Sequence, residues 1–338
     1  MAVTITDVAR AAGVSISTVS YALSGKRPIG EKTRQRIEAA IEELGYRPNA
    51  GARALAGRRT YILAVTEPLR PDTYTPAHMA FVLATATAAR AYDYDVLLLT
   101  QDEATGGLQR VTTSRIVDGV IVLDVLADDD RAALVRTLGV PAALVGVPTD
   151  TEGLTCVDLD FAGAAELAVD RLADAGHHTI GLLGHPREAY DRGSNFPVRF
   201  RDAFLAHAER RGVTARFAMP ARTIPGVRAA MAELLGSGRD LTGLVMHCED
   251  TTQMRALDVL REEGLDVPAD VSVISAASSF DTSTFSPPLD VIPLVPEATC
   301  SRAVELTIAQ ISGDSSPRVE LIAPRYVSRG STAPRSSR

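Results

Sequence analysis

The 338-residue chain is 46% hydrophobic and carries a formal net charge of −7, which makes it long enough for more than one packed domain and too apolar for a disordered acidic polymer. Three cysteines and no tryptophan exclude a disulfide-built scaffold and leave a core of Ala, Val and Leu. No apolar run approaches the roughly 18 residues of a membrane span, and no GxGxxG, P-loop, GxSxG or HExxH motif of the strongly catalytic kind is present.

Charge is unevenly spread. Residues 1–60 hold ten Lys and Arg against five acids, a local +5 that leaves −12 for the rest, so only the amino end suits a polyanion. Within it, Ile5 to Leu23 has the spacing of a helix-turn-helix, the motif that enters the DNA major groove. Ala9 is small where two helices cross, Gly13 supplies a positive φ, and Val8, Ala12, Val14 and Val19 face inward. Thr6 and Ser15 are N-cap residue types, which leaves Ser17 to Leu23 as the recognition helix. Base reading then falls to Ile16, Ser17 and Tyr21, with Thr18 and Ser20 as hydroxyl donors, while Arg27, Lys32, Arg34 and Arg53 are placed to meet phosphates. Glu31 to Leu44 puts Ile37, Ala40, Ile41 and Leu44 on one face of a third helix. Pro48 stops that helix, and Ala50 to Ala56 is a short helix ending at Gly57, expected to order only against DNA. The amino terminus runs into a capped helix without an apolar signal region, so the chain is expected to be cytoplasmic.

Beyond residue 60, short apolar runs alternate with helical stretches, the pattern of an α/β chain with doubly wound parallel sheets. Strands are expected at 62–65, 96–100, 119–124, 143–147, 180–183, 244–247, 271–274 and 291–294. Ligands of such sheets collect at the carboxyl ends of strands, which singles out Asp124 and Asp250, although either could instead cap a helix, and Asp250 with Gln253 has capping-box spacing. Tyr74 and Phe280 could stack on a ligand or belong to core and rim. His177 and His178 read as a surface loop, His247 beside Glu249 as an acid/base mimic without a nucleophile, and Cys156, Cys248 and Cys300 as reduced buried thiols. No metal site and no cofactor are expected. The tail Ser328 to Arg338, rich in Ser, Arg and Pro, is expected to be disordered.

VTITDVARAAGVS, STVSYALSG and ELGYRPNAGARALAG resemble the DNA-binding headpiece and hinge of the LacI/GalR family of bacterial transcription regulators. VDLDFAGAAELAVDRLADAGHHTIGLLG at 157–184, LDVPADVSVIS at 265–275 and YVSRGSTAPR resemble its effector domain, which looks like a periplasmic sugar-binding protein. The resemblance implies an all-α headpiece at 1–46, a hinge at 47–60 and a two-lobed effector and dimerisation domain at 61–327. Its first lobe would run over 61–159 and 291–327, and its second over 160–290. It also implies a homodimer on a palindromic double-stranded operator, with a repressor's response to a small-molecule effector, a sugar or other small metabolite, in the cleft. Asn49 joins the DNA contacts on this basis, and Leu55 matches the leucine that wedges into the central base step. Asp250 matches the acid of an Asn-Asp pair that meets the effector, with Glu249 in place of the Asn, and Arg199 stands nearest a cleft arginine. Three positions depart from the family. Tyr21 stands where many members carry arginine, Gly146 where aspartate is common, and Ser275 to Ser278 where Gly-Phe-Asp-Asp is usual, which points to a smaller or less polar ligand or another binding geometry. The alternatives are a cytoplasmic α/β enzyme, for which a catalytic motif is missing, and an exported solute-binding protein, which has no use for a helix-turn-helix.

A wedge residue acts only where the DNA is kinked. Leu55→Ala should therefore weaken operator binding at least about tenfold more than nonspecific binding, roughly 1.4 kcal/mol, in a gel-shift series; equal losses on both DNAs would remove the wedge role.

Overall fold

The computed structural model describes residues 3–24, 27–46, 59–70, 73–238, 240–314 and 316–335. The expected helix at 50–56, with Asn49, Arg53 and Leu55, lies outside the described residues.

The headpiece is three helices, α1 (Ile5–Ala12), α2 (Ile16–Ser24) and α3 (Glu31–Leu44). The first begins two residues earlier than the cap types suggested: Thr4, not Thr6, is the N-cap, and its N–H donates to the Asp7 carboxylate at 3.0 Å. Ser15 does cap α2, its Oγ accepting the Thr18 N–H at 3.1 Å. Gly13 turns the chain at φ 62°, a left-handed conformation that costs other residues about 1 kcal/mol. Arg36 of α3 then covers the exposed end of α1, donating through Nη2 to the Ala12 carbonyl at 2.6 Å and to the Gly13 carbonyl at 3.1 Å. Val8, Ala9, Ala12, Val19, Ile37 and Ala40 form the core, closed by Tyr46, with Val14 packed at its edge.

The chain enters the first lobe through Asp118, whose carboxylate accepts the Thr60 N–H at 2.7 Å and the Tyr61 N–H at 2.8 Å. It builds β1 (Ile62–Glu67), α4 (Thr75–Arg90), β2 (Asp95–Thr100), α5 (Gly106–Thr113), β3 (Gly119–Val122), α6 (Asp130–Leu138), β4 (Ala142–Val145) and β5 (Thr155–Leu159). The second lobe follows with α7 (Phe161–Asp174), β6 (Thr179–Leu183), α8 (Arg187–Asp191), α9 (Asn195–Arg210), β7 (Thr214–Ala218), α10 (Ile224–Leu235), β8 (Gly243–Met246), α11 (Asp250–Glu262), β9 (Ser272–Ser278) and β10 (Asp290–Pro293). The chain returns to the first lobe as α12 (Pro296–Ile311) and β11 (Arg318–Ile322). The strands form a six-stranded sheet, β11-β5-β4-β3-β1-β2, and a five-stranded sheet, β10-β9-β8-β6-β7. Every ladder between these strands is parallel, which needs helical crossovers and covers the faces of the sheets. None of the described helices is long and apolar enough to cross a membrane.

Sheet membership corrects two boundaries. The strand at 290–293 pairs with β9 inside the second sheet, so the return to the first lobe comes at α12, after residue 294, rather than at 291. The expected disordered tail is ordered as far as Arg335. Val327 pairs with Val291, Ser331 is fully buried with its hydroxyl on the Val273 carbonyl at 2.6 Å, and the Arg335 N–H reaches the Ala175 carbonyl at 2.8 Å. His177, read as a surface residue, is buried beneath this tail, with Nε2 3.2 Å from the Ala333 carbonyl and Nδ1 3.1 Å from Thr242 Oγ1.

Asp290 is the anchor. Its carboxylate accepts from the Tyr326 and Thr332 hydroxyls and from the N–H groups of Arg329, Gly330 and Ser331. Burial opposes its ionisation, but the Thr332 and Tyr326 hydroxyls and these backbone donors outweigh burial and hold the carboxyl below the usual range. A depressed folded pKa gives stability that is complete above the unfolded value of about 3.9 and fades as pH falls through the folded one. Asp290→Ala, which orphans several buried donors, should cost about 3 kcal/mol or more at pH 7. The loss relative to wild type should shrink in denaturant melts below about pH 4; a pH-independent loss would show that the carboxylate charge is not what holds the tail.

Candidate functional site

Two surfaces have the chemistry of recognition. On the headpiece, α2 presents Ile16, 48% exposed, and Tyr21, 37% exposed, and two large apolar side chains left in water on so small a domain mark a contact face. Ser17 is exposed beside them, while Thr18 and Ser20 are half-buried. The Ser15 hydroxyl lies 2.7 Å from Ser17 Oγ and 2.8 Å from Thr18 Oγ1, so part of this hydroxyl row is engaged in holding the helix start. Arg27, Lys32 and Arg34 are exposed. Thr6 is also exposed, within the first turn of α1.

The second surface is a cavity between the lobes, enclosing about 1150 Å³ of empty space including its open mouth. Parallel strands deliver its walls, because their carboxyl ends lie along one edge of each sheet. Glu67 follows from β1 and Asp124 lies just past β3, while His185 follows β6 and His247 follows β8. Asp124 and Ala277 both hold φ 49°, left-handed conformations that cost non-glycine residues on the order of 1 kcal/mol and here turn the chain sharply at the strand ends. The Arg131 guanidinium pins one of these turns by donating to the Asp124 carbonyl at 2.8 Å while pairing with Asp129.

The second-lobe wall is aromatic. His247 is 2% exposed and lies tilted against Phe200 at 4.2 Å and edge-on to His185 at 4.7 Å, with Phe161 and Phe196 around them. Burial pushes His185 down to about 4 and His247 well below its ordinary value, so both rings are neutral at pH 7. His247 is therefore a packing group rather than half of an acid/base pair with Glu249. Glu249 instead pairs with Arg222 and accepts the Thr252 hydroxyl at 3.2 Å. Burial opposes its ionisation, but His185 and Arg222 hold its carboxyl below the usual range.

The lobes touch across the cavity. The Tyr74 hydroxyl, from the N-terminal end of α4, donates to Asp250 Oδ1 at 2.6 Å, and the Ala127 N–H donates to the Gly193 carbonyl at 2.8 Å. The Asn195 amide reaches the Val147 carbonyl. Of the residues singled out in the sequence, Tyr74, Asp124 and Phe280 line the cavity. Asp250 stands at its edge as the partner of Tyr74. Neither aspartate caps a helix: Glu249 occupies the N-cap of α11, and the Gln253 amide turns back to the Cys248 carbonyl at 2.9 Å. Arg199 sits behind the wall, on Asp158 at 2.7 Å. Burial raises the Asp158 carboxyl to about 6 despite that partner.

Sequence reading missed Glu67, Asp158, His185, Asn195 and Arg222. Asp158 and Arg222 become visible only when distant strands are assembled; Glu67 ends the run ILAVTE and could have been found by the strand-end rule already applied to Asp124. The departures from the family pattern have physical reasons. Gly146 holds φ 127°, and a Cβ there would lie 2.7 Å from Val125 Cβ, so no side chain fits. Ser275 and Ser278 serve the scaffold, with Ser275 donating to Gln253 Oε1 at 2.7 Å and lying 2.6 Å from Ser278 Oγ.

Residues 4–49 match the model of the bacterial regulatory proteins of the lacI family, and residues 169–332 match that of the periplasmic binding protein-like domain. The HTH-type transcriptional regulator CelR of Thermobifida fusca is 30% identical over 96% of this chain and 96% of its own. A transcriptional regulator CelR–cellobiose complex matches at TM-score 0.68 and 26% identity, covering 97% of this chain and 99% of that one. The lac repressor dimer bound to operator and the anti-inducer ONPF shares the fold at TM-score 0.81 and 24% identity, over 98% of this chain and 100% of that one. On its helix-turn-helix, its two parallel-sheet lobes and these matches, the chain belongs to the lacI family of bacterial regulatory proteins and is an HTH-type transcriptional regulator.

Proposed function

We propose that the protein is a repressor that binds a palindromic operator as a homodimer and is controlled by a small metabolite held between its lobes. One observation carries the control: the cavity takes its walls from both lobes, and Tyr74 of one bonds directly to Asp250 of the other, so an occupant that favours one lobe arrangement shifts the whole body. The linker that leads to the headpiece is anchored to the first lobe by Asp118, which supplies a route from lobe angle to headpiece spacing. Coupling of this kind is commonly about 1 to 3 kcal/mol, or 5- to 150-fold in DNA affinity.

An amphipathic ligand of sugar or nucleoside size is favoured. The aromatic wall of Phe161, Phe196 and neutral His185 takes a flat apolar face, and the opposite wall of Glu67, His78 and Asp124 takes hydroxyl or amine groups. A disaccharide such as the cellobiose of the CelR complex is of suitable size. For the dimer, Met79 and Leu83 of α4 and Met254 of α11 stand exposed and offer apolar contact area. The reading as a whole is tested by selection from a randomised duplex pool, where salt-sensitive enrichment of a palindrome is expected and no enrichment overturns it.

Tyr21 reads bases through one hydroxyl and its ring, whereas arginine in its place would grip guanine bidentately for about 1–3 kcal/mol of discrimination. Tyr21→Arg should move the selected half-site toward a guanine; an unchanged motif after selection would take Tyr21 out of base reading. At the cleft, Tyr74→Phe removes the bond to Asp250 and keeps the ring. A hydrogen bond to a charged group is worth about 1.5–3 kcal/mol. In operator gel shifts titrated with a panel of mono- and disaccharides and nucleosides, the half-effective concentration of any active compound should move about tenfold or more while ligand-free DNA binding stays within a few-fold. An unmoved dose response would mean that the tie between the lobes plays no part in control.

A further inference from the structure

The first-lobe wall of the cavity holds a cluster whose chemistry goes beyond hydrogen bonding to a metabolite. Glu67 at the end of β1, His78 near the start of α4 and Asp124 just past β3 each present one ligand atom, and the three atoms lie within 4.8 Å of one another. Glu67 is fully buried. Its Oε1 lies 3.0 Å from His78 Nδ1, while its Oε2 is buried with no hydrogen-bond partner. Leaving a buried carboxylate oxygen with nothing donating to it is costly, and at the wall of a cavity that oxygen invites a group from the occupant. A ligand hydroxyl would satisfy that oxygen alone. Asp124 changes the balance, because two acceptor-only carboxylates brought this close gain more from one shared positive charge than from separate donors.

We propose that Glu67, His78 and Asp124 bind a first-row divalent cation of the Zn²⁺ or Mn²⁺ kind, with its remaining coordination positions open to the cavity. The donor set selects the ion: one imidazole and two carboxylates suit borderline transition metals, whereas Ca²⁺ and Mg²⁺ favour all-oxygen shells. Donor atoms bound to one ion at about 2.1 Å lie roughly 3.0 to 3.4 Å apart at octahedral or tetrahedral angles, so the widest pair of the cluster has to close by up to about 1.5 Å on binding. Three protein ligands beside an open cavity make an exchangeable site, in which an oxygen-rich small molecule completes the shell.

Three cations border the cluster, Arg131, Arg192 and Arg70. Arg131 is committed to Asp129 and to the Asp124 carbonyl, so its charge is already balanced. Burial and Arg192 oppose protonation of His78, the Glu67 carboxylate outweighs them, and a cation has to displace that proton before the ring can ligate. Arg70 is the direct competitor, since it pairs with the Asp124 carboxylate, and its side chain, 26% exposed, has to turn aside for an ion to bind. The three ligands are far apart along the chain, which is why the sequence showed no metal-binding spacing.

The test is calorimetric titration of the EDTA-stripped full-length protein with Zn²⁺ alone and with Mn²⁺ alone. One ion per chain is expected for at least one of the two. Its affinity should fall at least tenfold in Glu67→Gln, which keeps the side-chain shape, and in His78→Ala, and should rise several-fold in Arg70→Ala, where the competing guanidinium is gone. Thermal melts of the metal-free variants report that each is folded, and Asp124→Asn substitutes for any that is not. No binding of either ion, or binding that is unmoved by Glu67→Gln and His78→Ala, overturns the proposal.

Discussion

Parallel pairing in both sheets is the constraint from which the rest of the molecule follows. A parallel sheet collects the carboxyl ends of its strands along one edge, and the chain crosses between lobes so that the two edges face each other. Residues that end unrelated strands, such as Glu67, His185 and His247, are thereby brought into one cavity, where the sequence separates them widely. The left-handed turns at Asp124 and Ala277 belong to the same arrangement, since a strand that must stop abruptly at a cavity edge has to change direction within one residue.

Charge in this interior is managed by pairing. Asp124 meets Arg70, Asp158 meets Arg199, Glu249 meets Arg222 and Glu67 meets His78. Each partner comes from another segment of the chain, so each pair reports on how the segments are assembled as well as on local charge. The imidazoles of the opposite wall are kept neutral by burial against phenylalanine, so the aromatic part of that wall adds no charge of its own. Breaking a buried pair leaves an uncompensated charge, a larger loss than the pair's own net contribution. Asp158 with Arg199 joins β5 of the first lobe to α9 of the second, whereas the other three pairs lie within one lobe, so changes of lobe angle should keep those three and spend their energy on the contacts between lobes, Asp158 with Arg199, Tyr74 with Asp250 and Ala127 with Gly193.

Two carboxylates tie the ends of the body. Asp118 binds the backbone where the chain arrives from the headpiece, and Asp290 gathers the hydroxyls and N–H groups of the tail onto the second lobe. Both are rigid acceptors for several donors at once, and such charge-assisted bonds hold a segment more firmly than apolar contact from small side chains. The headpiece uses the complementary device, with a guanidinium, Arg36, closing the open carbonyls of α1.

The sequence by itself determined the headpiece, because helix caps, the Gly13 turn and a 3.6-residue apolar period are all short-range signals that survive without tertiary context. It also determined the α/β class, since strands buried on both faces read as unbroken apolar runs such as GVIV and GLVM. Strands with polar interruptions did not stand out. TCVDL lies inside its sheet with Asp158 turned to Arg199, RVELI is an edge strand whose residues alternate with solvent, and TARFA is an edge strand buried only in part. Tertiary structure alone decided that the Ser- and Arg-rich tail is ordered, because its polar groups are satisfied by Asp290, Val273 and Ala175 rather than by water. It alone placed Arg199 behind the cleft and Asp250 on Tyr74, since which partner a charged side chain meets depends on how two sheets face each other, and that is set by packing over the whole chain rather than by any local pattern.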